Sequence, residues 1–98
     1  MIAGIAQIKP IFGDLYRNIE KHLSYIKLAR ENGADLIIFP EMSLTGYYLK
    51  DLTSELAIGP DFSILKPIFS ASKDIDIVVS FPERDEAFNY YITSVYLR

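Results

Sequence analysis

The chain has 98 residues, half of them hydrophobic, and its 10 basic and 13 acidic residues give a net charge of −3. One small domain is therefore the upper limit, and the composition is that of a folded chain rather than a disordered one. No cluster of Lys and Arg interleaves with aromatic residues, so nucleic-acid binding is not expected, and no apolar run is long enough to cross a membrane.

Cysteine is absent from the sequence, which excludes disulfides, thiolate metal sites and a cysteine nucleophile within these residues. The N-terminal stretch MIAGIAQIKP has neither the basic start nor the long apolar stretch of a signal peptide. These two features together predict a soluble protein of the cytoplasm.

The first predicted element is a strand, 2–8, in which both alternating sets of side chains are apolar or small except at Gln7. This pattern is typical of a strand buried on both faces. A turn over 11–14 follows, and Asp14 is placed to cap a helix.

A helical period begins at Leu15 and ends at Asn32-Gly33, because glycine readily adopts the left-handed conformation that closes a helix. The segment 36–39 is a second apolar strand. Strand, helix and strand in succession predict a βαβ unit with parallel strands and a right-handed crossover. The helix is expected to bury one apolar stripe: Ile19, Leu23, Ile26 and Ala29 or Arg30.

The second half of the chain begins with a long irregular segment, 40–60, with one helical turn near 52–56. A second helix is predicted within 61–73, where Pro67 is tolerated if the helix starts late, near Ile64. These elements predict an α/β fold that starts with βαβ and has two helices and about four strands. The last predicted elements are a strand at 75–81, a polar loop at 83–89 and a strand at 90–97.

Glu41 is the leading candidate for a functional residue. It follows the second predicted strand, and ligands of open α/β sheets bind beyond the carboxyl ends of the parallel strands. On position alone, a solvated glutamate at the start of a loop is the simpler interpretation. Glu83 has a matching position, since Phe-Pro-Glu occurs at 39–41 and again at 81–83 and closes a predicted strand each time.

The other polar side chains give weaker indications. His22 lies beside the helical stripe without a second histidine or a cysteine to complete a zinc site, so a packing or surface role is expected. Ser43 and Thr45 have no base near them in the sequence, and no glycine-rich loop is present to bind a phosphate. No metal and no cofactor are therefore predicted. Solvation or packing accounts for the acidic residues Asp74, Asp76, Glu83, Asp85 and Glu86 and for the tyrosine pairs at 47–48 and 90–91.

Residues 13–52, GDLYRNIEKHLSYIKLARENGADLIIFPEMSLTGYYLKDL, resemble the N-terminal part of the nitrilase superfamily, the carbon–nitrogen hydrolases. The shared pattern comprises a Gly-Asp turn, Asn18, Gly-Ala-Asp at a helix end, an apolar strand closed by Pro-Glu, and Thr-Gly-Tyr. Gly59-Pro60 and the strand IDIVVSFPER extend the likeness over nearly the whole chain. Ile92 departs from it, because many relatives have asparagine there.

The resemblance implies an α-β-β-α sandwich, of which residues 1–98 are a single partial domain, the N-terminal portion. It also implies hydrolysis of non-peptide carbon–nitrogen bonds by glutamate, lysine and cysteine, with Glu41 as the general base. The family's lysine and cysteine follow the strand that ends here at Leu97, so the chain alone is expected to be inactive. The lysines of this chain do not match the family's position: Lys9, Lys21, Lys27, Lys50, Lys66 and Lys73.

Three interpretations follow from the missing groups. The chain is the N-terminal part of such an enzyme, which we favour, or one subunit of a split amidase, or a binding or assembly module without catalysis. The expected substrate is a small-molecule amide or nitrile, and the segment 44–52 is similar both to glutamine-hydrolysing domains of amidotransferases and to simple amidases. A sheet with one face and one edge uncovered also predicts a homo-oligomer.

Overall fold

The computed structural model describes residues 1–46 and 57–98, and these form one four-stranded sheet with two helices. The strand order is β1-β2-β3-β4, with β1, β2 and β3 parallel and β4 antiparallel to β3. This arrangement confirms the predicted α/β fold with its βαβ start. The elements are β1 (Ala3–Ile5), α1 (Leu15–Glu31), β2 (Leu36–Ile38), a short 3₁₀ turn (Ser63–Leu65), α2 (Lys66–Ala71), β3 (Asp76–Arg84) and β4 (Tyr90–Leu97).

Both predicted ends of α1 are confirmed. The Asp14 side chain accepts a hydrogen bond from the Arg17 amide at 3.1 Å, and Gly33 has a φ of +78° just past the last turn. The stripe itself differs from the prediction, because polar side chains form part of it and Leu23 is only partly buried. The buried residues of α1 are Asn18, Ile19, His22 and Ile26.

The second helix is shorter than the predicted 61–73. A 3₁₀ turn comes first, and α2 begins only at Lys66, which places Pro67 within its first turn. The missing amide hydrogen of proline costs nothing there, because the first turn of a helix has no internal acceptor for it. Leu65 and Ile68 are completely buried in the core that α1 and α2 form with the sheet.

The two faces of the sheet have different surroundings. The helices cover one face. A row of paired residues across the four strands lies on it: Gly4, Ile37, Ile77 and Leu97. The next row of paired residues lies on the other face, where Ile5 is 74% exposed and Tyr96 is 51% exposed. That row is apolar from edge to edge: Ile5, Ile38, Val78 and Tyr96.

The prediction that β1 is buried on both faces is therefore wrong. Ladder pairing is confined to Ala3–Ile5 instead of the whole of 2–8, and β1 forms an edge of the described sheet. Helix α1 covers only one side, so Ala6 and Ile8 are buried while Ile5 and Gln7 are exposed. No helix of the described residues is long and apolar enough to cross a membrane.

The second Phe-Pro-Glu does not end a strand, which corrects the prediction for 81–83. Strand β3 continues to Arg84 because β4 pairs with it throughout and Ile58 bridges its other edge. The Ile58 amide donates to the Pro82 carbonyl at 2.8 Å, and the Arg84 amide donates to the Ile58 carbonyl at 2.9 Å. This bridge uses only the carbonyl of Pro82, so the absent amide hydrogen breaks no ladder bond.

Candidate active site

Glu41 lies where the sequence predicts it, beyond the carboxyl end of β2. The ladder extends slightly past the strand, since the Ala6 amide donates to the Ile38 carbonyl at 2.9 Å and the Phe39 amide donates to the Val78 carbonyl at 3.0 Å. Pro40 then leaves the sheet, and Glu41 is exposed. The end of a central parallel strand thus presents a carboxylate to solvent.

Residues 40–46 form a compact turn, which we call the Glu41 turn. Met42 has a φ of +57°, a left-handed conformation that costs a residue with a side chain about 1–2 kcal/mol. The Met42 carbonyl accepts from the Gly46 amide at 2.8 Å, and the Met42 amide donates to the Ser80 hydroxyl oxygen of β3 at 3.1 Å. The turn is therefore closed internally and attached to the neighbouring strand.

His22 of α1 holds the same turn from the helix side. Its Nε2 is 2.8 Å from the Ser43 hydroxyl oxygen, its Nδ1 is 2.6 Å from the Asn18 carbonyl oxygen, and its ring lies 4.2 Å from that of Phe39 between centroids. Ser43 thus has no base near it in the sequence, as predicted, but it has one in the fold. The partner is distant in sequence and is brought to Ser43 by the packing of α1 on the sheet.

The protonation state of this histidine follows from its surroundings. Burial lowers the pKa of His22 to about 4, against the opposing effect of the hydrogen bond to the Asn18 carbonyl and with a smaller lowering by the Lys21 charge. A neutral ring has one N–H, and the carbonyl of Asn18 can only accept. Nδ1 therefore carries the hydrogen, and the Ser43 hydroxyl donates to Nε2.

Asn18, one of the residues that carry the family resemblance, also joins the helix to the turn. Its amide nitrogen donates to the Leu44 carbonyl at 3.0 Å and to the Ile11 carbonyl at 2.7 Å, while its oxygen accepts from the Ile11 amide at 2.7 Å. The side chain is completely buried. The Asn18 side chain thus provides hydrogen-bond partners for main-chain groups of two loops, at Ile11 and at Leu44, which the helix shields from water.

A groove of about 490 Å³ ends beside the Glu41 turn, at Pro40. Of the irregular segment predicted at 40–60, residues 42–46 are buried against α1 and β3. Residues 47–56, which include the helical turn predicted near 52–56, lie outside the part of the chain that the structure describes. The groove is lined by Ile5, Ala6, Gln7, Ile8, Lys9, Ile38, Phe39 and Pro40.

Glu83 has a different setting from Glu41, despite the shared tripeptide. It lies inside β3, where its carboxylate oxygen accepts a hydrogen bond from the Thr93 hydroxyl at 2.7 Å. Asp85 accepts from the Asn89 amide at 2.8 Å and from the Tyr91 hydroxyl at 3.0 Å within the β3–β4 hairpin. These acidic side chains organise a hairpin. Among residues 1–46 and 57–98, no three potential metal-binding side chains are grouped around a common point.

The model of the carbon–nitrogen hydrolase family matches residues 2–98 of this sequence, which is nearly its full length. The chain belongs to the carbon–nitrogen hydrolase family. Two parts of the family pattern, Asn18 and Pro40-Glu41, thus meet at the Glu41 turn. The resemblance predicted from 13–52 is confirmed, together with the nitrilase-type fold.

Three relatives show how much of a carbon–nitrogen hydrolase the chain represents. A glutamine-dependent NAD(+) synthetase of Rhodobacter capsulatus is 40% identical over 65 residues, which are 66% of this chain and 10% of the relative. The glutamine-dependent NAD+ synthetase of Acinetobacter baumannii, solved with ADP, aligns with 98% of this chain and 18% of its own at a TM-score of 0.78 and 29% identity. An amidase from Nesterenkonia sp. aligns over 96% and 36%, with a TM-score of 0.81 and 19% identity. The chain thus spans between about a tenth and a little over a third of the length of these relatives.

Proposed function

We propose that the chain is the N-terminal part of a carbon–nitrogen hydrolase active site, to which it contributes Glu41 as the general base. The observation that supports this most is the Glu41 turn itself. An exposed carboxylate follows a central parallel strand, on a strained turn that buried groups of α1 and β3 hold. Active sites of α/β sheets lie at this edge, and local strain concentrates at functional positions.

In the proposed reaction, the Glu41 carboxylate takes the proton of a cysteine thiol, and the thiolate attacks the carbon of an amide. The carbonyl oxygen becomes an oxyanion, which a lysine stabilises. Glu41 then gives its proton to the leaving nitrogen as the carbon–nitrogen bond breaks, leaving a thioester. It next takes a proton from water, whose oxygen attacks the thioester. Glu41 then returns this proton to the departing sulfur, which releases the acid and restores both the thiol and the carboxylate. One carboxylate thus serves in both half-reactions.

The thiol and the oxyanion lysine come from outside residues 1–98 in this proposal. The sequence contains no cysteine, and none of its lysines matches the position of the family's lysine. A longer chain or a second polypeptide would supply them. The isolated chain is accordingly proposed to be inactive, since a carboxylate without a nucleophile cannot form the covalent intermediate.

The proposed substrate is a small amide or nitrile, with a primary carboxamide favoured. The relatives with at least 29% identity named above are glutamine-dependent synthetases, and the fold is shared with an amidase. A cytoplasmic location and a homo-oligomeric state complete the proposal. The apolar row on the open face of the sheet, with Ile5 74% exposed, supports association with another copy or with a further part of the protein.

Complementation in trans tests the role of Glu41. The 98-residue chain is mixed with a polypeptide that carries the family's lysine and cysteine, and ammonia release from a primary amide is measured. We expect no release from either part alone and release from the mixture. Glu41→Gln should lower the rate by on the order of 10²–10⁴-fold, the effect of losing an acid–base group, while leaving assembly intact.

Glu83→Gln is the matched control, because it makes the same chemical change at a second Phe-Pro-Glu and keeps an oxygen for the Thr93 hydroxyl. It should complement as well as the parent. Equal activity of the Glu41→Gln chain would refute the assignment. Assembly or ligand binding without turnover by any mixture would instead favour a binding or assembly module.

A further inference from the structure

His22 contacts the chain on both sides of Glu41. Its ring packs against Phe39, two residues before the glutamate, with an interplanar angle of 33°. Its Nε2 accepts from the hydroxyl of Ser43, two residues after it. A single side chain of α1 therefore spans the bend that turns the end of β2 toward Glu41.

The imidazole is itself fixed in one position and one tautomer. The Asn18 carbonyl, one turn earlier in α1, is 2.6 Å from Nδ1 and requires a hydrogen there. Nε2 is then an acceptor directed at Ser43. The ring is completely buried, and so is Ser43.

A hydroxyl that donates to a histidine also resembles a nucleophile with its base. The burial of both groups argues against that role, because a substrate carbon would have to approach an oxygen that has no exposed surface. The contact therefore serves to hold the chain in place.

The left-handed conformation of Met42 is strained, and the Ser43–His22 and Met42–Ser80 hydrogen bonds are among the contacts that hold the turn in this conformation. Loss of the Ser43–His22 bond is therefore expected to loosen the turn. Strained turns persist only where their surroundings hold them.

We propose that His22 is a positioning residue for Glu41, which it holds at the carboxyl end of β2 through its contacts with Phe39 and the Ser43 hydroxyl. This inference rests on the proposed role of Glu41 as the base. It adds to that role a specific structural requirement, namely a neutral imidazole with its hydrogen on Nδ1.

The first test uses the parent 98-residue chain labelled with ¹⁵N in the histidine ring. Nitrogen shifts and couplings at pH 7 should show a neutral ring with the hydrogen on Nδ1 and an unprotonated Nε2. A ring with its hydrogen on Nε2, or with hydrogens on both nitrogens, would overturn the proposal. This measurement needs no variant and no activity.

The second test compares Ser43→Ala with Thr45→Val. Both remove one completely buried hydroxyl from the Glu41 turn. Within residues 1–46 and 57–98, that of Thr45 donates to the neighbouring Gly46 carbonyl, at 3.1 Å, and not to a side chain of another element. Hydrogen exchange of the Gly46 amide, which bonds to Met42, should accelerate about fivefold or more in Ser43→Ala, since about 1 kcal/mol is lost. Thr45→Val should exchange at nearly the parent rate. Equal effects of the two changes would overturn the proposal.

The third test separates positioning from a purely structural role. In the complemented assembly, Ser43→Ala should lower kcat by about tenfold or more with KM within about twofold, and should shift the pH–rate profile. Thr45→Val should retain the parent kcat and the parent pH–rate profile. Faster exchange in Ser43→Ala with unchanged kcat and pH profile would reduce His22 to a structural role. If instead Glu41→Gln retains full activity, the proposed function fails, while the tautomer and exchange results still decide whether His22 holds the turn.

Discussion

Two polar residues of α1, Asn18 and His22, are completely buried and completely hydrogen-bonded. A buried polar group without partners costs about 1–3 kcal/mol, so these side chains stabilise only the arrangement in which their partners are present. Apart from the Asn18 carbonyl of α1, which pairs with Nδ1 of His22, those partners are main-chain and hydroxyl groups of the loops at 9–13 and 42–46. The two residues therefore specify where the loops lie rather than adding to the hydrophobic core.

We predict that the stability of the chain decreases as the pH falls from 6.5 toward 4. The folded-state pKa of His22, about 4, lies below its ordinary value of 6.5, so the unfolded chain binds the proton more tightly. The stabilisation is complete above pH 6.5 and is lost by about 1.4 kcal/mol per pH unit below it, or roughly 3 kcal/mol by pH 4. Urea unfolding at pH 7.5, 6, 5 and 4.5 measures this slope.

His22→Gln provides the control, because glutamine does not titrate. Its stability should vary less with pH over the same range. Contributions from carboxylates such as Asp85, whose pKa is lowered by its hydrogen bond to the Asn89 amide, are common to both proteins and cancel in the difference. Parallel pH dependences in the two proteins would contradict the prediction.

Among the elements, α1 is the most independent of its surroundings, since its two ends are fixed by local groups. Asp14 caps the first turn, and Gly33 closes the last with a φ of +78°. The Asp14–Arg17 ion pair at the same end is exposed and separated by 3.5 Å, so it contributes little. Helix α1 carries Asn18 and His22, which bond to the Glu41 turn. The position of that turn therefore depends on where the helix begins.

We predict that Asp14→Ala destabilises the chain by about 1 kcal/mol, because the Arg17 amide loses its acceptor. Thermal unfolding followed by circular dichroism measures the change. Arg17→Ala is the matched comparison, since it removes the ion pair and keeps the cap, and it should cost less than about 0.5 kcal/mol. A larger loss in Arg17→Ala than in Asp14→Ala would show that the ion pair, and not the cap, fixes the helix start.

The whole molecule is asymmetric, with α1 and α2 on one face of the sheet and a cross-strand apolar row on the other. Ile5, at one end of that row, is 74% exposed, and Ile92, on the same side of β4 as Tyr96, is 61% exposed. Exposed apolar surface of this kind marks interaction sites. The open face is thus the surface on which the chain is expected to pack against another part of its protein or another copy.

We predict that the 98-residue chain self-associates at micromolar concentration, with a C₂ dimer as the simplest closed form. Ile5→Lys should weaken the association without unfolding the chain, because this side chain is already mostly exposed. Tyr16→Lys is the matched control, since Tyr16 is 75% exposed but lies on α1. Sedimentation velocity measures both. A monodisperse parent monomer, or equal weakening by the two changes, would contradict the prediction.

The sequence by itself determined the order of the elements and the limits of several. The ends of α1 and the span of β4 were predictable because caps, glycine and β-branched runs act through neighbouring residues. The position of Glu41 was predictable for the same reason, since an apolar strand followed by Pro-Glu places the carboxylate at the strand end. The tripeptide at 81–83 has the same sequence, but it lies inside β3 and does not end it, because β4 and Ile58 pair with it there.

Tertiary structure alone decided which groups hold Glu41. His22 and Ser43 are 21 positions apart, and Met42 and Ser80 are 38 apart, so no local pattern connects them. A signal did exist in the sequence, because Asn18 and His22 lie one turn apart on the buried side of α1. Periodicity counts only apolar residues, and it therefore assigned the stripe to Ile19 and its apolar neighbours. Their partners became identifiable only when the crossover placed the helix over the carboxyl end of β2, where buried polar atoms must pair with one another.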